Sequence, residues 1–150
     1  FIGRCRAAGL LSVLEPVAQP VRGREHEFDL NEAILDAAAA LAPLRPDVYK
    51  AQVPSAGRGP LADLVAACER LDAHVPVPWV VLSNGVRPED FPRAVQAACR
   101  GGAAGMLAGR AVWTSVLGAP DHGAAVAGAA DRLRLLIDIV TEHGRPWRQA

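Results

Sequence analysis

The chain has 150 residues, of which 51% are hydrophobic, and its sixteen acidic side chains balance its sixteen basic ones. This length is that of one ordinary domain, residues 1–150, with enough apolar side chains to bury a sizeable core. The zero formal net charge gives no sign of a nucleic-acid or anionic-membrane partner. No stretch approaches the roughly 20 apolar residues of a membrane span. The few, widely spaced cysteines are typical of reduced thiols, so we expect a cytoplasmic protein.

The first residues, FIGRCRAAG, are typical of the end of a helix that stops at Gly9. They predict that a longer protein has an N-terminal part before Phe1. The three cysteines, Cys5, Cys68 and Cys99, are odd in number and far apart. We expect them to be reduced and buried, as in a protein of a reducing compartment.

Four short apolar runs alternate with helix-like segments along the chain. The runs predict strands within residues 10–17, 47–54, 78–86 and 104–113. The segments between and after them predict helices at 29–42, 60–74, 88–100 and 121–143. Asp29 is the expected N-cap of the first of these helices. The last helix carries four apolar residues at helical spacing, which are expected to face the core: Leu133, Leu136, Ile137 and Val140.

This alternation predicts an α/β fold built from four parallel βα units. A doubly wound sheet and one half of a (β/α)8 barrel both fit the pattern. Polar side chains gather where the predicted strands end, and barrels place their functional residues at that end of the strands. The half-barrel is therefore the favoured interpretation.

Lys50 is the only lysine of the chain, beside fifteen arginines. In its strand, alternation places Val48, Lys50 and Gln52 on one face and Tyr49, Ala51 and Val53 on the other. If the second face meets helices, Lys50 points into the barrel. A neutral amine can attack a carbonyl carbon, which a guanidinium cannot do. The alternative is a lysine that reaches the solvent or pairs with a carboxylate.

Other polar residues follow the remaining strands. Glu15 could transfer protons on a substrate hydroxyl or only pair with Lys50. Ser83, Gly85, Gly109 and Arg110 offer a hydroxyl, close backbone approach and a guanidinium, a set suited to a phosphate or sulfonate. The alternative for this set is two ordinary turns and a structural arginine.

The loop Gly57-Arg58-Gly59 lies on the same side as Lys50. It could close over an anionic substrate, although a flexible connection is the simpler interpretation. The four histidines show no metal-ligand spacing with cysteines or acids, so neither a metal nor another cofactor is predicted. The aromatic residues are too few and scattered to form a stacking platform for nucleic acid.

Four motifs in the same order carry a family resemblance: LEPV (14–17), DVYKAQVP (47–54), PWVVLSNGV (78–86) and GGAAGMLAGRAVW (101–113). The chain resembles the class I aldolases of the tagatose-1,6-bisphosphate aldolase group, and within it the sulfofructosephosphate aldolase branch. That family has a (β/α)8 TIM-barrel fold. The chain is similar to the C-terminal half of this barrel, strands 5 to 8, so the resemblance implies that the N-terminal half is missing here.

The resemblance also implies roles for residues. Lys50 matches the Schiff-base lysine, and Glu15 matches the glutamate that handles the proton of the cleaved hydroxyl. Ser83, Gly85 and the Gly109-Arg110 pair match the anion pocket after the last two strands. The implied reaction is cleavage of a phosphorylated ketose or sulfosugar phosphate to dihydroxyacetone phosphate and an aldehyde. It needs no metal, and we expect the full-length enzyme to be a homo-oligomer.

Two residues depart from the family pattern, Asn84 in place of a small residue and Gln19 in a stretch that is often basic. They leave the choice among tagatose, fructose and sulfofructose substrates open. Without strands 1 to 4 the active site would not be closed, so this segment alone is expected to be inactive. The competing interpretation is a non-catalytic barrel remnant that binds sugar phosphates or has a regulatory role. A barrel isomerase or synthase that uses only the phosphate site would leave the single lysine unexplained.

Overall fold

The computed structural model describes residues 1–147. Its strands are β1 (Val13–Leu14), β2 (Val48–Ala51), β3 (Trp79–Val81) and β4 (Gly105–Met106). Its α-helices are α1 (Ile2–Ala7), α2 (Leu30–Leu41), α3 (Leu61–Asp72), α4 (Phe91–Arg100), α5 (Arg110–Trp113) and α6 (His122–His143). Short 3-10 turns lie at Glu25–Glu27, Ala42–Leu44, Pro54–Gly57 and Thr114–Val116. The predicted alternation of strands and helices is confirmed.

The four strands form one parallel sheet in the order β1-β2-β3-β4. In the middle of the sheet, Lys50 of β2 is in register with Val80 of β3. Each strand pairs with the next one along the chain, whereas in a doubly wound sheet the strand order reverses at a switch point. The α/β prediction is confirmed, and the order is consistent with part of a TIM-barrel-like aldolase fold.

One face of the sheet is covered by helices. Tyr49, Ala51 and Val53 are almost fully buried on this face, as the alternation predicts. Trp79 and Val81 of β3 lie in the same core. The helices contribute Ile34 and Ala38 of α2, Cys68 and Leu71 of α3, and Phe91, Val95 and Ala98 of α4. Burial of these apolar side chains is the main stabilising term of the fold.

The opposite face of the sheet forms an apolar groove of about 510 Å³. Val48 and Val80 lie in its lining, and Ile137 of α6 borders it with half of its surface exposed. Leu11 and Val13, at the β1 edge, line the groove and are also exposed. Within residues 1–147 the two sheet faces therefore differ, since one is packed and the other is open.

Helix α2 begins as predicted, because the Asp29 carboxylate accepts hydrogen bonds from the N–H groups of Asn31 (2.8 Å) and Glu32 (3.1 Å). Two predicted boundaries, the start of α4 and the end of β4, were wrong. Helix α4 begins at Phe91 and not at residue 88, because residues 87–90 form a turn in which Arg87 bonds the Asp90 carboxylate. The run 104–113 is a strand only up to Met106, and its second half becomes α5.

The apolar face predicted for α6 divides in two. Leu136 is fully buried and Val140 packs against the core, but Leu133 and Ile137 are exposed. The prediction is wrong for this second pair, because α6 contacts the rest of the fold on a narrower stripe. The cysteines show a similar division, with Cys68 and Cys99 buried and Cys5 only half-buried.

Candidate active site

Lys50 lies in β2, one residue before the strand ends, and its side chain is 19% exposed. Its Nζ donates a hydrogen bond to Oε2 of Glu15 at 2.8 Å. Glu15 directly follows β1, and its side chain is 40% exposed. The structure therefore shows Lys50 paired with a carboxylate, and this pairing is compatible with either role considered for the lysine.

The Lys50–Glu15 contact joins the carboxyl ends of two neighbouring parallel strands. At this distance the proton of an ammonium can pass directly to a carboxylate, which frees an amine as a nucleophile. Both side chains are partly exposed, so solvent reaches the pair. The arrangement can therefore supply both a nucleophile and a proton carrier.

Gln52 lies two residues after Lys50 and is 6% exposed. Its Oε1 accepts a hydrogen bond from the Ala18 N–H at 2.6 Å, and its Nε2 donates to the Ala18 carbonyl at 3.4 Å. Sequence reasoning placed Gln52 on the face of Lys50 but gave it no role. The sequence signal that could have indicated a role for Gln52 was its position, a polar side chain just after a mostly apolar strand.

The structure brings Ser83, Gly85 and Arg110 together in a second depression of about 320 Å³. This pocket lies at the carboxyl ends of β3 and β4. Asn84, which departs from the family pattern, accepts a long hydrogen bond (3.4 Å) from the Arg110 guanidinium. Thr114 also lines the pocket, and no sequence signal distinguished it from other threonines.

The two glycines proposed for anion binding have different surroundings. Gly85 has a φ of 78°, which side-chain-bearing residues rarely adopt, and open space where a Cβ would be. Gly109 precedes α5 with a φ of −123° and does not line the pocket. A Cβ on Gly109 would lie 3.0 Å from the indole nitrogen of Trp113, so this glycine makes room for the tryptophan.

The loop after β2 makes hydrogen bonds to α2 and α4 near its two ends. Ser55 and Ala56 have positive φ values of 53° and 49°. Asn31 holds this turn, because its Oδ1 accepts from the Ser55 N–H and its Nδ2 donates to the Ser55 hydroxyl. Arg93 donates to the Gly59 carbonyl at the other end of the loop.

Within residues 1–147, no group of three His, Cys, Asp or Glu side chains has the geometry of a metal site. Among the helices of these same residues, none combines the length and the apolar character that a membrane span needs. Burial raises the pKa of Cys68 to about 12 and that of Cys99 to about 11. These two thiols are therefore protonated near neutral pH and are poor nucleophiles.

The family model described as DeoC/LacD family aldolase matches residues 2–115. The match covers more than half of the chain and includes all four strands. It also includes Lys50, Glu15 and the residues of the second pocket. The chain belongs to the DeoC/LacD aldolase family, which points to a carbon–carbon lyase.

Proposed function

From this family membership we propose that the protein is a class I aldolase in which Lys50 forms a Schiff base with the substrate. The observation that carries the proposal is the 2.8 Å contact between the Lys50 ammonium and the Glu15 carboxylate. An amine beside a proton acceptor, at the carboxyl end of a parallel sheet, is the minimum that iminium chemistry requires. The substrate class we propose is a phosphorylated ketose or sulfosugar phosphate, as in the tagatose-1,6-bisphosphate and sulfofructosephosphate aldolases.

The reaction starts when the Lys50 ammonium gives a proton to Glu15. The free amine adds to the ketose carbonyl, and loss of water from the adduct leaves an iminium. Glu15, after losing its proton to the departing water, accepts the proton of the C4 hydroxyl. The C3–C4 bond breaks, its electron pair enters the iminium to form an enamine, and the aldehyde leaves. Protonation of the enamine and hydrolysis release dihydroxyacetone phosphate and restore Lys50.

The second pocket supports an anionic substrate. Arg110 supplies a guanidinium, Ser83 a hydroxyl, and Gly85 leaves its backbone open to close approach. Such groups suit the tetrahedral oxygens of a phosphate or sulfonate. We propose that Ser83, Gly85 and Arg110 bind this group, with Gly109 allowing the chain to enter α5 beside it.

The open groove supports a further part of the proposal, that residues 1–150 form one half of a (β/α)8 barrel. Within residues 1–147 the sheet has two free edges, at β1 and β4, and closure into a barrel removes such edges. Produced alone, the segment should dimerise, aggregate or lack a sharp melting transition. Light scattering that shows a stable monomer, together with a cooperative thermal melt, would contradict this.

A non-catalytic sugar-phosphate-binding protein is the second candidate. It is favoured by the lining of the Arg110 pocket, which includes neither Lys50 nor Glu15. Such a protein would bind ketose phosphates through Arg110 without any covalent step. The two candidates therefore differ in what happens at the Lys50 nitrogen.

Borohydride trapping in the full-length protein separates them. Dihydroxyacetone phosphate is added with borohydride, which reduces an iminium to a stable secondary amine, and peptide mapping by mass spectrometry locates the adduct. The proposed aldolase gives an adduct on Lys50, and the matched Lys50→Arg variant gives none. Absence of an adduct, or an adduct on another lysine, would reject Lys50 as the nucleophile.

A further inference from the structure

The segment that carries Glu15 has very little backbone support. Residues 15–20 lie outside any helix or strand, and Pro16 and Pro20 have no N–H to donate. In the part of the chain that the structure describes, the hydrogen bonds to the backbone of residues 16–20 are the two that Gln52 makes with Ala18. The position of residues 16–20 therefore depends on the side chain of Gln52, which directly follows β2.

Gln52 is buried to an extent that is unusual for its residue type. Ser12 and Gln52 are the two polar side chains that are buried in residues 1–147. A buried amide costs free energy unless its donor and acceptor are both hydrogen-bonded. The oxygen and the nitrogen of the Gln52 amide both form hydrogen bonds with the backbone of Ala18. These bonds compensate the burial of the amide and hold Ala18 against the sheet.

Lys50 of β2 and Gln52, the first residue after β2, hold both ends of the same short segment. Lys50 contacts Glu15 at its beginning, and Gln52 contacts Ala18 three residues later. We propose that Gln52 is a positioning residue that keeps Glu15 within proton-transfer distance of Lys50. This inference rests on the proposed Schiff-base function. Only in that reaction does the position of the Glu15 carboxylate determine the rate of turnover.

The consequence for the reaction follows from distance. Glu15 must reach first the Lys50 nitrogen and then the C4 hydroxyl of the substrate. A displacement of about 1 Å at such a site can lower the rate by about 100-fold. The proposed anion site uses Ser83, Gly85 and Arg110, whereas the hydrogen bonds of the Gln52 side chain go to Ala18. Loss of the Gln52 contact should therefore lower kcat and leave KM nearly unchanged.

The test compares three variants of the full-length protein with the wild type. Gln52→Met keeps the length of the side chain and removes both hydrogen bonds. Gln52→Glu keeps the acceptor for the Ala18 N–H, and Ala18→Pro removes the same N–H from the loop side while leaving Gln52 in place. Steady-state kinetics on a ketose bisphosphate and borohydride trapping are measured for each protein. Circular dichroism shows whether each variant folds. If Gln52→Met does not fold, Ala18→Pro tests the positioning role of Gln52 in its place.

We expect kcat to fall about 10- to 100-fold in Gln52→Met and in Ala18→Pro, with KM within about threefold of the wild type and an adduct still on Lys50. Gln52→Glu should retain most of kcat. An unchanged kcat in the folded variants, or an equal loss in Gln52→Glu, would overturn the positioning role alone. Failure of the wild type to trap substrate on Lys50 would overturn the proposed function and, with it, the basis of this inference.

Discussion

The two ends of the parallel sheet use their charged residues in different ways. At the amino end, the carboxylates of Asp47 and Asp72 each accept more than one short hydrogen bond. Oδ2 of Asp47 accepts from both the N–H and the hydroxyl of Ser12 at 2.7 Å, and the Asp47 N–H returns a bond to the same hydroxyl. These contacts fasten the start of β1 to β2.

A second cluster at the amino end involves α3 and the chain after α6. The Asp72 carboxylate accepts from the indole N–H of buried Trp79 at 2.8 Å and from two nitrogens of Arg145 at 3.0 and 3.1 Å. Arg145 also donates its backbone N–H to Ala103. The cluster joins β3, α3 and the end of the described chain.

At the carboxyl end, the two cationic side chains of the candidate site keep donor capacity for a ligand. Lys50 has the Glu15 carboxylate at 2.8 Å, and the Arg110 guanidinium has one long contact, at 3.4 Å, to Asn84. The hydrogen bonds of Asp47 and Asp72 at the amino end stabilise the fold. At the carboxyl end, Lys50 and Arg110 have N–H groups left over that can bind a substrate. Substitutions at the two ends should therefore affect different measurements.

The largest effect is expected for Lys50→Arg. Arginine keeps the positive charge beside Glu15, but its guanidinium cannot form an iminium, so turnover should fall by at least about 1000-fold, or about 4 kcal/mol of barrier. Aldol cleavage assayed by aldehyde release in the full-length protein measures this. The exposed Arg134→Lys variant is the control and should keep wild-type activity. Substantial activity in Lys50→Arg would make Lys50 a structural residue.

Arg110→Ala should weaken ligand binding without affecting stability. Loss of one charge-assisted contact costs about 1.5–3 kcal/mol, which corresponds to roughly a 10- to 100-fold weaker affinity for a sugar phosphate. Titration calorimetry with phosphorylated and free sugar distinguishes this from general damage, since only the phosphorylated ligand should lose affinity. Arg134→Ala provides the control. Equal affinities for wild type and Arg110→Ala would show that Arg110 is not a ligand.

Asp72→Ala should show the opposite behaviour, with reduced stability and unchanged affinity. The substitution leaves the Trp79 indole N–H buried without an acceptor, which costs about 1–3 kcal/mol of unfolding free energy. Urea unfolding of the full-length protein measures the loss. Asp131→Ala removes an exposed ion pair with Arg134 and should change stability by less than about 0.5 kcal/mol. Matching losses in the two variants would contradict the role of the Trp79 contact.

The smallest effect concerns Asp47 and depends on pH. The hydrogen bonds from the Ser12 hydroxyl and N–H hold the pKa of Asp47 below its ordinary value of 3.8. Such a group stabilises the fold above pH 3.8, and this contribution is lost as the pH falls through the lowered pKa. Asp47→Asn should therefore be less stable than wild type at neutral pH, and the difference should shrink toward about pH 2. If the urea midpoints of wild type and Asp47→Asn differ by the same amount at every pH, this role of Asp47 is contradicted.

Much of the fold could be predicted because it depends on local patterns. The alternation in residues 47–53 identified the buried face of β2 correctly, since a strand places successive side chains on opposite sides whatever its neighbours are. The Asp29 cap marked the start of α2 for a similarly local reason. The turn at residues 87–90 was missed because proline is favoured both in the first turn of a helix and in a β-turn. The helix within 104–113 was missed because apolar composition alone does not distinguish a short strand from a short helix.

For the candidate site, the sequence by itself determined which residue types are available: one lysine, a glutamate after the first strand, and a serine and an arginine after the last two. Only the tertiary structure decided their partners. Lys50 and Glu15 are 35 residues apart, as are Ser12 and Asp47, and Gln52 lies 34 residues from Ala18. Each of these pairs forms because β1 and β2 are adjacent and parallel, and strand pairing is a property of the folded sheet that neither segment contains alone.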